Sequence, residues 1–307
     1  MRKLLFFLVC VLVGIVFAPS WRARAVAAGT SSMTGQEAPA ERRMALPNKA
    51  GSLKFAVLGN SGTGEQSQYE LAEQMATLHE RFKYDLVILL GGNIYGSQRP
   101  QDFQKKFETP YKPLLDAGVK FHASLGREDS PDQRYYKLFN MGGKLSYTFS
   151  PQPDVSFFAL DSNKPTPDQM QWLEHQFQAS SAAWKIVFLH QPLYSSGRSR
   201  GSGARLREML EPLFVKYSVS VVLTGQDRFY ERVKPQKGIA YFVVGSGGRL
   251  RSGHIDKSSG IAAKAFDTDH AFLAAEILGE ELYFNAISRK GETVDSGVLR
   301  RKTPARD

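Results

Sequence analysis

Short apolar runs recur along the chain and have the length and β-branched or aromatic content of buried strands. Five of them end at Gly59, Gly91, Gly126, His190 and Gly225. Between the runs, apolar residues repeat at helical spacing, clearly so at 71–82 and 206–214. Continuous apolar strands that alternate with amphipathic helices predict an α/β fold whose sheets are buried on both faces.

Further strand-like runs are typical of meander or hairpin partners. They lie at 145–150, 155–161, 239–247, 271–279 and 281–288. Together with the first group they predict a mixed pair of sheets with helices outside. In open α/β folds ligands bind beyond the carboxyl ends of the strands. We therefore expect the five loops that follow the first group to gather at one rim.

The start of the chain resembles a targeting segment. Arg2 and Lys3 precede an apolar run of about 15 residues, which is short for a membrane span of about 20. Small-residue cleavage sites follow the run, so residues 1–27 are predicted to be an export signal peptide. The alternative is an uncleaved N-terminal membrane anchor. Residues 28–50 are polar and without periodicity, which predicts a disordered linker.

The formal charge of +10 is concentrated at the two ends of the chain. Residues 1–49 carry a net +5, the basic tail 300–307 carries +3, and the body between them keeps +2. A nucleic-acid-binding protein would carry its basic face within the folded body, so this class is not favoured. Cys10 is the only cysteine. It lies in the signal, so the mature protein has neither disulfides nor a catalytic thiol.

The order of the loops carries a family resemblance over residues 53–290. With the segments "HQPLYSSG" at 190–197, "FYER" at 229–232 and "YFVVGSGG" at 241–248, it resembles the calcineurin-like metallophosphoesterases, most closely the purple (tartrate-resistant type) acid phosphatases. The resemblance implies a four-layer α-β-β-α sandwich over a single domain at 51–299. It also implies a dinuclear Fe, Zn or Mn centre at the rim that activates water against phosphate esters.

The motif positions depart from that family at most of its metal ligands. The family carries Asp, Asp, Asn, a substrate-facing His and two His where this chain has, in order, Asn60, Gly92, Arg127, Glu128, Gln226 and Arg228. Tyr95 and His190 keep the family residue. Arginine has no lone pair with which to coordinate a metal. The sequence therefore predicts a degenerate site that binds no metal cofactor and is catalytically inactive.

We expect the rim to keep a binding role in an exported, periplasmic or extracellular protein. Arg127 and Arg228 suit a phosphate or another oxyanion, with His190 as a further contact. The opposite expectation is that the two arginines pair with Glu128 and Asp129 and fill the cavity.

Two other functions stay open. One is an active hydrolase with an altered site, in which His190 acts as a base and arginines stabilise charge. The other is a scaffold that binds a protein partner through the arginine-rich stretch 195–207. No stable membrane span is expected after signal cleavage.

Overall fold

The computed structural model describes residues 45–198 and 203–301. The predicted signal peptide with Cys10, most of the predicted linker and the end of the basic tail lie outside the described residues. Within the described ranges, no helix has the length and apolar character needed to cross a membrane.

Thirteen strands and five α-helices make up the described ranges. The strands are β1 Leu53–Leu58, β2 Leu86–Leu90, β3 Lys120–Ser124, β4 Tyr147–Gln152, β5 Val155–Ala159, β6 Trp184–Leu189, β7 Val221–Thr224, β8 Tyr230–Val233, β9 Ala240–Val244, β10 Ala262–Phe266, β11 Ala271–Leu278, β12 Glu281–Ser288 and β13 Thr293–Arg300. The helices are α1 Gln66–Arg81, α2 Pro100–Phe103, α3 Lys112–Asp116, α4 Pro167–Ala179 and α5 Gly203–Lys216. The described ranges also contain a π-helical turn at Gln104–Glu108 and 3-10 turns at Pro131–Tyr135, Lys137–Phe139 and Lys257–Ser259.

The strands form two mixed sheets, as predicted. The first has six strands in the order β13-β12-β11-β1-β2-β3, and the second has seven in the order β10-β8-β9-β7-β6-β5-β4. Strands β1, β2 and β3 are parallel in the first sheet, as are β5, β6, β7 and β9 in the second. All five predicted rim loops follow parallel strands. Their carboxyl ends therefore have a common direction within each sheet.

Alternate residues along the strands of the second sheet pack into different apolar layers. Phe157 and Phe188 pack into the core that also holds the first sheet, whereas Phe158 and Leu189 pack against α4 and α5. Because a strand's side chains alternate between its faces, this division requires both faces to be covered. The continuous apolar runs in the sequence have this cause, and the α-β-β-α sandwich is confirmed.

Both predicted domain boundaries differ from the structure by a few residues. The backbone amides of Asn48 and Lys49, assigned to the disordered linker, donate to the buried Glu276 carboxylate at 2.6 and 2.7 Å. Arg300, assigned to the tail, ends β13 and its Nε lies 2.9 Å from Glu281 Oε1. Three strands were not predicted, because their alternation of apolar and polar residues is weak. β8 and β10 are short, and β13 contains a glycine and polar residues.

Candidate functional site

The five predicted loops meet at one rim, and backbone hydrogen bonds join four of them in two pairs. The Asn60 amide donates to the Gly91 carbonyl at 2.7 Å, which joins the loops after β1 and β2. The amides of Gly225 and Gln226 donate to the His190 carbonyl at 3.0 and 2.8 Å, which joins the loops after β7 and β6. The side chains of Asn60, His190 and Asp129 connect the two pairs to each other and to the loop after β3, which confirms the expectation of a shared rim.

The buried Asn60 side chain acts as a hydrogen-bond donor at the centre of the rim. Its Nδ2 lies 2.5 Å from the Gly225 carbonyl, 2.8 Å from that of Gly245 and 3.3 Å from that of Gln226. Its Oδ1 accepts from the Tyr95 hydroxyl at 2.7 Å. Three carbonyls around one atom fix the amide's orientation, because an oxygen there would face only acceptors. A carboxylate at this position would be repelled by all three.

Gly92 has no room for a side chain. Its φ is +66°, in the left-handed region that glycine tolerates. A Cβ atom built on it would lie 2.6 Å from Asn60 Oδ1 and 2.8 Å from the Tyr95 hydroxyl. The contact between Asn60 and Tyr95 thus fills the space that a side chain at position 92 would need.

Asp129 holds two of the loops through their backbones. Its Oδ2 accepts from the amides of Gly92 and Gly126 at 2.7 and 2.8 Å. Its Oδ1 accepts from Asn93 and Ile94 amides and from Gln133 Nε2, at 2.9, 3.1 and 3.0 Å. Burial raises the pKa of the Asp129 carboxyl, and these hydrogen bonds act in the opposite direction. The carboxylate is engaged by the backbone, so it does not pair with Arg127 or Arg228.

His190 is buried and its tautomer is determined by one contact. Its Nδ1 lies 2.7 Å from the Leu90 carbonyl, which can only accept, so Nδ1 carries the proton. Burial, with a smaller effect from the charges of Arg127 and Arg228, lowers the pKa of His190 to about 4, although the hydrogen bond to Leu90 acts in the opposite direction. The ring is neutral at pH 7, and its Nε2 is then an acceptor. His190 can therefore contact an oxyanion only as an acceptor and not as a hydrogen-bond donor.

Arg127 and Arg228 lie at the same rim without ion pairs. Arg127 is exposed and Arg228 is half-buried. Both lie close enough to His190 to lower its pKa. In the described part of the chain, no salt bridge joins either guanidinium to Glu128 or Asp129. Glu128 is exposed and contributes its backbone carbonyl to Gln98 Nε2 at 3.0 Å.

A third arginine at the rim was missed from the sequence. The Arg249 guanidinium lies over the Tyr95 ring, 3.9 Å from its centroid, and the Arg249 amide donates to the Asn60 carbonyl at 3.1 Å. The only signal in the sequence was a basic residue following the glycine-rich end of an apolar run. A single basic residue does not by itself indicate a site, and the last segment that resembles the family ends at position 248.

The loops after β6 and β7 keep polar atoms without partners. Gln226 Oε1 and Ser196 Oγ are buried and have no hydrogen-bond partner in the described structure. The buried Asp227 accepts from the Ser195 hydroxyl at 2.5 Å, and burial raises the pKa of its carboxyl. No three His, Cys, Asp or Glu side chains gather closely enough to hold a metal ion, considering residues 45–198 and 203–301.

Comparison with known proteins identifies the family to which this rim belongs. A family model for calcineurin-like phosphoesterases matches residues 53–225. The Fe(3+)-Zn(2+) purple acid phosphatase 12 of Arabidopsis thaliana is 41% identical over 80 residues, which are 25% of this chain and only 17% of that protein. Purple acid phosphatase 7 of the same plant is 22% identical over 289 residues, covering 82% of this chain and 88% of the relative.

A solved structure shows the same fold. The structure described as GAP50, the anchor in the inner membrane complex of Plasmodium, has a TM-score of 0.68 at 21% identity. The match covers 83% of this chain and 90% of that one. From the family model, the rim geometry and these relatives, the chain belongs to the calcineurin-like phosphoesterase family, in its purple acid phosphatase branch.

Proposed function

We propose that this chain is a metallophosphoesterase homologue that holds no dinuclear metal centre and does not hydrolyse phosphate esters. The Asn60 amide is the observation that carries the proposal. A ligand to a divalent cation presents a lone pair, yet here Nδ2 presents hydrogens to three carbonyls. The residues present therefore do not fit the two-metal centre of the family.

Two further features support the same conclusion. A bridging carboxylate cannot be placed at Gly92, where even a Cβ atom meets Asn60 and Tyr95. Arg127 and Arg228 add two fixed positive charges. Two unit charges about 4 Å apart repel by roughly 4 kcal/mol at an effective dielectric of 20, and a divalent cation would be repelled more strongly.

The same rim is suited to a metal-free oxyanion. Guanidinium groups bind phosphate and carboxylate through paired N–H donors, and Arg127, Arg228 and Arg249 supply them. Neutral His190 contributes an acceptor, which suits the P–OH of a monoprotonated phosphate rather than a bare anionic oxygen. Two charge-assisted contacts contribute about 1.5–3 kcal/mol each, less the cost of association. We expect affinity near the millimolar range, weakening with added salt.

We further propose that the protein is exported. The support is the N-terminal sequence, with a basic start, a short apolar run and small-residue cleavage sites. Export would place the rim in contact with extracellular or periplasmic anions.

A role as an anchor for other proteins is the second candidate. It is favoured by the structural likeness to a protein whose printed description is an anchor in a membrane complex. It does not conflict with the first proposal, because a rim without catalytic metal can still present a surface to a partner.

Metal content and turnover test the proposal directly. The purified mature protein should contain less than stoichiometric Fe, Zn or Mn by mass spectrometry and hydrolyse an aryl phosphate no faster than a blank. The Gln226→His, Arg228→His double variant should also stay metal-free, since Asn60 and Gly92 are unchanged. About one tightly bound metal per chain, or turnover that disappears in His190→Ala, would contradict the proposal.

Anion binding is tested by titrating inorganic phosphate in the presence of EDTA, followed by NMR shifts. The Arg127→Ala, Arg228→Ala double variant should lose the response. Lys112→Ala is the matched control, because Lys112 is an exposed cation held by Asp116 at 2.9 Å. No response in the parent protein, or an unchanged response in the double variant, would contradict oxyanion binding at this rim.

A further inference from the structure

Four arginines lie on the loops of the rim, and we name this set the arginine face: Arg127, Arg228, Arg249 and Arg251. They come from three different loops, after β3, β7 and β9. The Arg251 amide donates to the Arg228 carbonyl at 2.9 Å, which ties the second and third of these loops together. Arg228 and Arg249 also both act on the Tyr95 hydroxyl, lowering its pKa against the larger effect of burial, which raises it.

The arginine face is not neutralised from within the described structure. No salt bridge involves any of its four guanidiniums over 45–198 and 203–301. Of the nearby carboxylates, Asp129 is bound by backbone amides and Asp227 by Ser195. Glu128 is exposed beside Arg127 and has no salt bridge to these arginines in the described structure. The face therefore presents unpaired donors to solvent, and a ligand with several negative charges would complement it.

Apolar side chains are exposed on the chain segment that follows the Arg127 loop. Tyr135 is 64% exposed and Leu138 is 38% exposed, on the short helical turns that follow the Arg127 loop. That segment is tied to the rim, because Gln133 donates to Asp129 at 3.0 Å. A small oxyanion would make no use of these two side chains. A polypeptide with acidic and apolar residues would use both features.

The protein's own ends and a second copy are poor occupants of this surface. Residues 1–49 carry a net +5 and residues 300–307 a net +3, so both ends are repelled by it. Two copies meeting through the same face would place arginines against arginines. The net charge of +2 in the body is small for a nucleic-acid-binding protein.

We propose that the arginine face, together with Tyr135 and Leu138, docks an acidic segment of a partner protein that carries carboxylates beside apolar residues. The proposal rests on the proposed function, because a bound metal pair would itself compete for those carboxylates. Paired guanidinium–carboxylate contacts give the segment its position, and the two apolar side chains give contact area that a free anion lacks.

Peptide binding to the full mature chain tests the docking proposal. A short fluorescent peptide of alternating glutamate and leucine should bind, and its glutamine-for-glutamate counterpart should bind at least about tenfold more weakly. The Arg228→Gln, Arg251→Gln double variant should lose about tenfold in affinity for the glutamate peptide, and Tyr135→Ser, Leu138→Ser should lose about threefold. Arg300→Gln changes an arginine paired with Glu281 on β13 and should lose nothing.

Each remaining outcome separates the docking proposal from the proposed function. Peptide binding that is unaffected by the arginine double variant would overturn docking, as would tighter binding of a single-stranded oligonucleotide than of the peptide. If phosphate binds with EDTA present but the peptide does not, docking fails while the metal-free oxyanion site stands. If the same samples contain stoichiometric metal, the proposed function fails whatever the peptide does. Melting curves of every variant show whether a loss reflects unfolding.

Discussion

The inner layer of the rim and the arginine face differ in how their polar groups are partnered. The inner layer consists of Asn60, Tyr95 and Asp129, whose polar atoms are turned into the protein. Over the described residues, the arginine face offers guanidiniums with no carboxylate partner. We therefore expect the inner layer to contribute mainly to stability, and the arginine face, on our proposal, to contribute mainly to binding. Substitutions can separate the two roles.

The largest expected effect is at Asp129. In Asp129→Asn, either orientation of the new amide turns its NH2 toward at least two of the N–H donors that now share the carboxylate. Buried donors without an acceptor should lower the free energy of unfolding by about 3–5 kcal/mol, measured by urea denaturation. Asp132→Asn, on the same segment but exposed, should change it by less than about 0.5 kcal/mol. Equal effects at the two sites would mean that Asp129 does not organise the rim.

The next effect is at Asn60. Asn60→Asp places a carboxylate against three carbonyls and should destabilise the fold by about 2–4 kcal/mol. Asn140→Asp is the control, since the exposed Asn140 amide has a main contact to the Phe121 carbonyl at 2.8 Å, and about 1 kcal/mol is expected there. Added Zn²⁺ should not raise the melting temperature of Asn60→Asp. A clear rise would show that one carboxylate is enough to recover a metal site.

The pH dependence of stability tests His190. Its folded pKa, lowered by burial to about 4, lies below that of an unfolded histidine near 6.5. Between these values the unfolded chain binds a proton that the folded chain does not. Stability should therefore fall as pH is lowered from about 6.5 to about 4, by up to about 3 kcal/mol from this group.

The control for this pH dependence is a substitution that keeps the hydrogen bond to the Leu90 carbonyl and removes the titratable ring. His190→Gln can still donate to the Leu90 carbonyl. Its stability should depend less steeply on pH over the same range, while other histidines whose pKa is lowered by burial, such as His122 and His270, contribute equally to both proteins. Identical slopes would mean that His190 is not held neutral by the fold.

The smallest effects are on the arginine face. Arg249→Gln removes the guanidinium above the Tyr95 ring and should cost about 0.5–1 kcal/mol. Arg228→Gln should lie within about 0.5 kcal/mol of the parent, since no ion pair of the described structure is lost. A loss of several kcal/mol at Arg228 would place it with the inner layer and contradict the separation of the two roles.

The sequence predicted the fold and the rim better than the contacts within the rim. The apolar runs ending at Gly59, Gly91, Gly126 and Gly225 are strands buried on both faces, so their pattern is strong and local. The contacts within the rim were not predictable, because they join residues far apart in the chain. Asn60 reaches Gly225 and Gly245, and Arg249 reaches Tyr95.

The pairing expected between the arginines and Glu128 or Asp129 failed for a similar reason. The acidic character of residues 128 and 129 was visible, but Asp129 points its carboxylate at backbone amides whose position depends on the fold. The tautomer of His190 likewise depends on the Leu90 carbonyl, 100 residues away.

The crowding at Gly92 bears on how a hydrolase of this fold could be reached from this chain, in the laboratory or by natural mutation. An aspartate cannot enter position 92 while Asn60 and Tyr95 occupy the space. Changing Asn60 first removes its hydrogen bonds to three carbonyls before the protein can bind any metal. The order of substitutions is therefore constrained, because each early substitution lowers the stability of the fold and restores no phosphatase activity. Single-step screens for regained phosphatase activity should fail, and success would need libraries that vary positions 60 and 92 together.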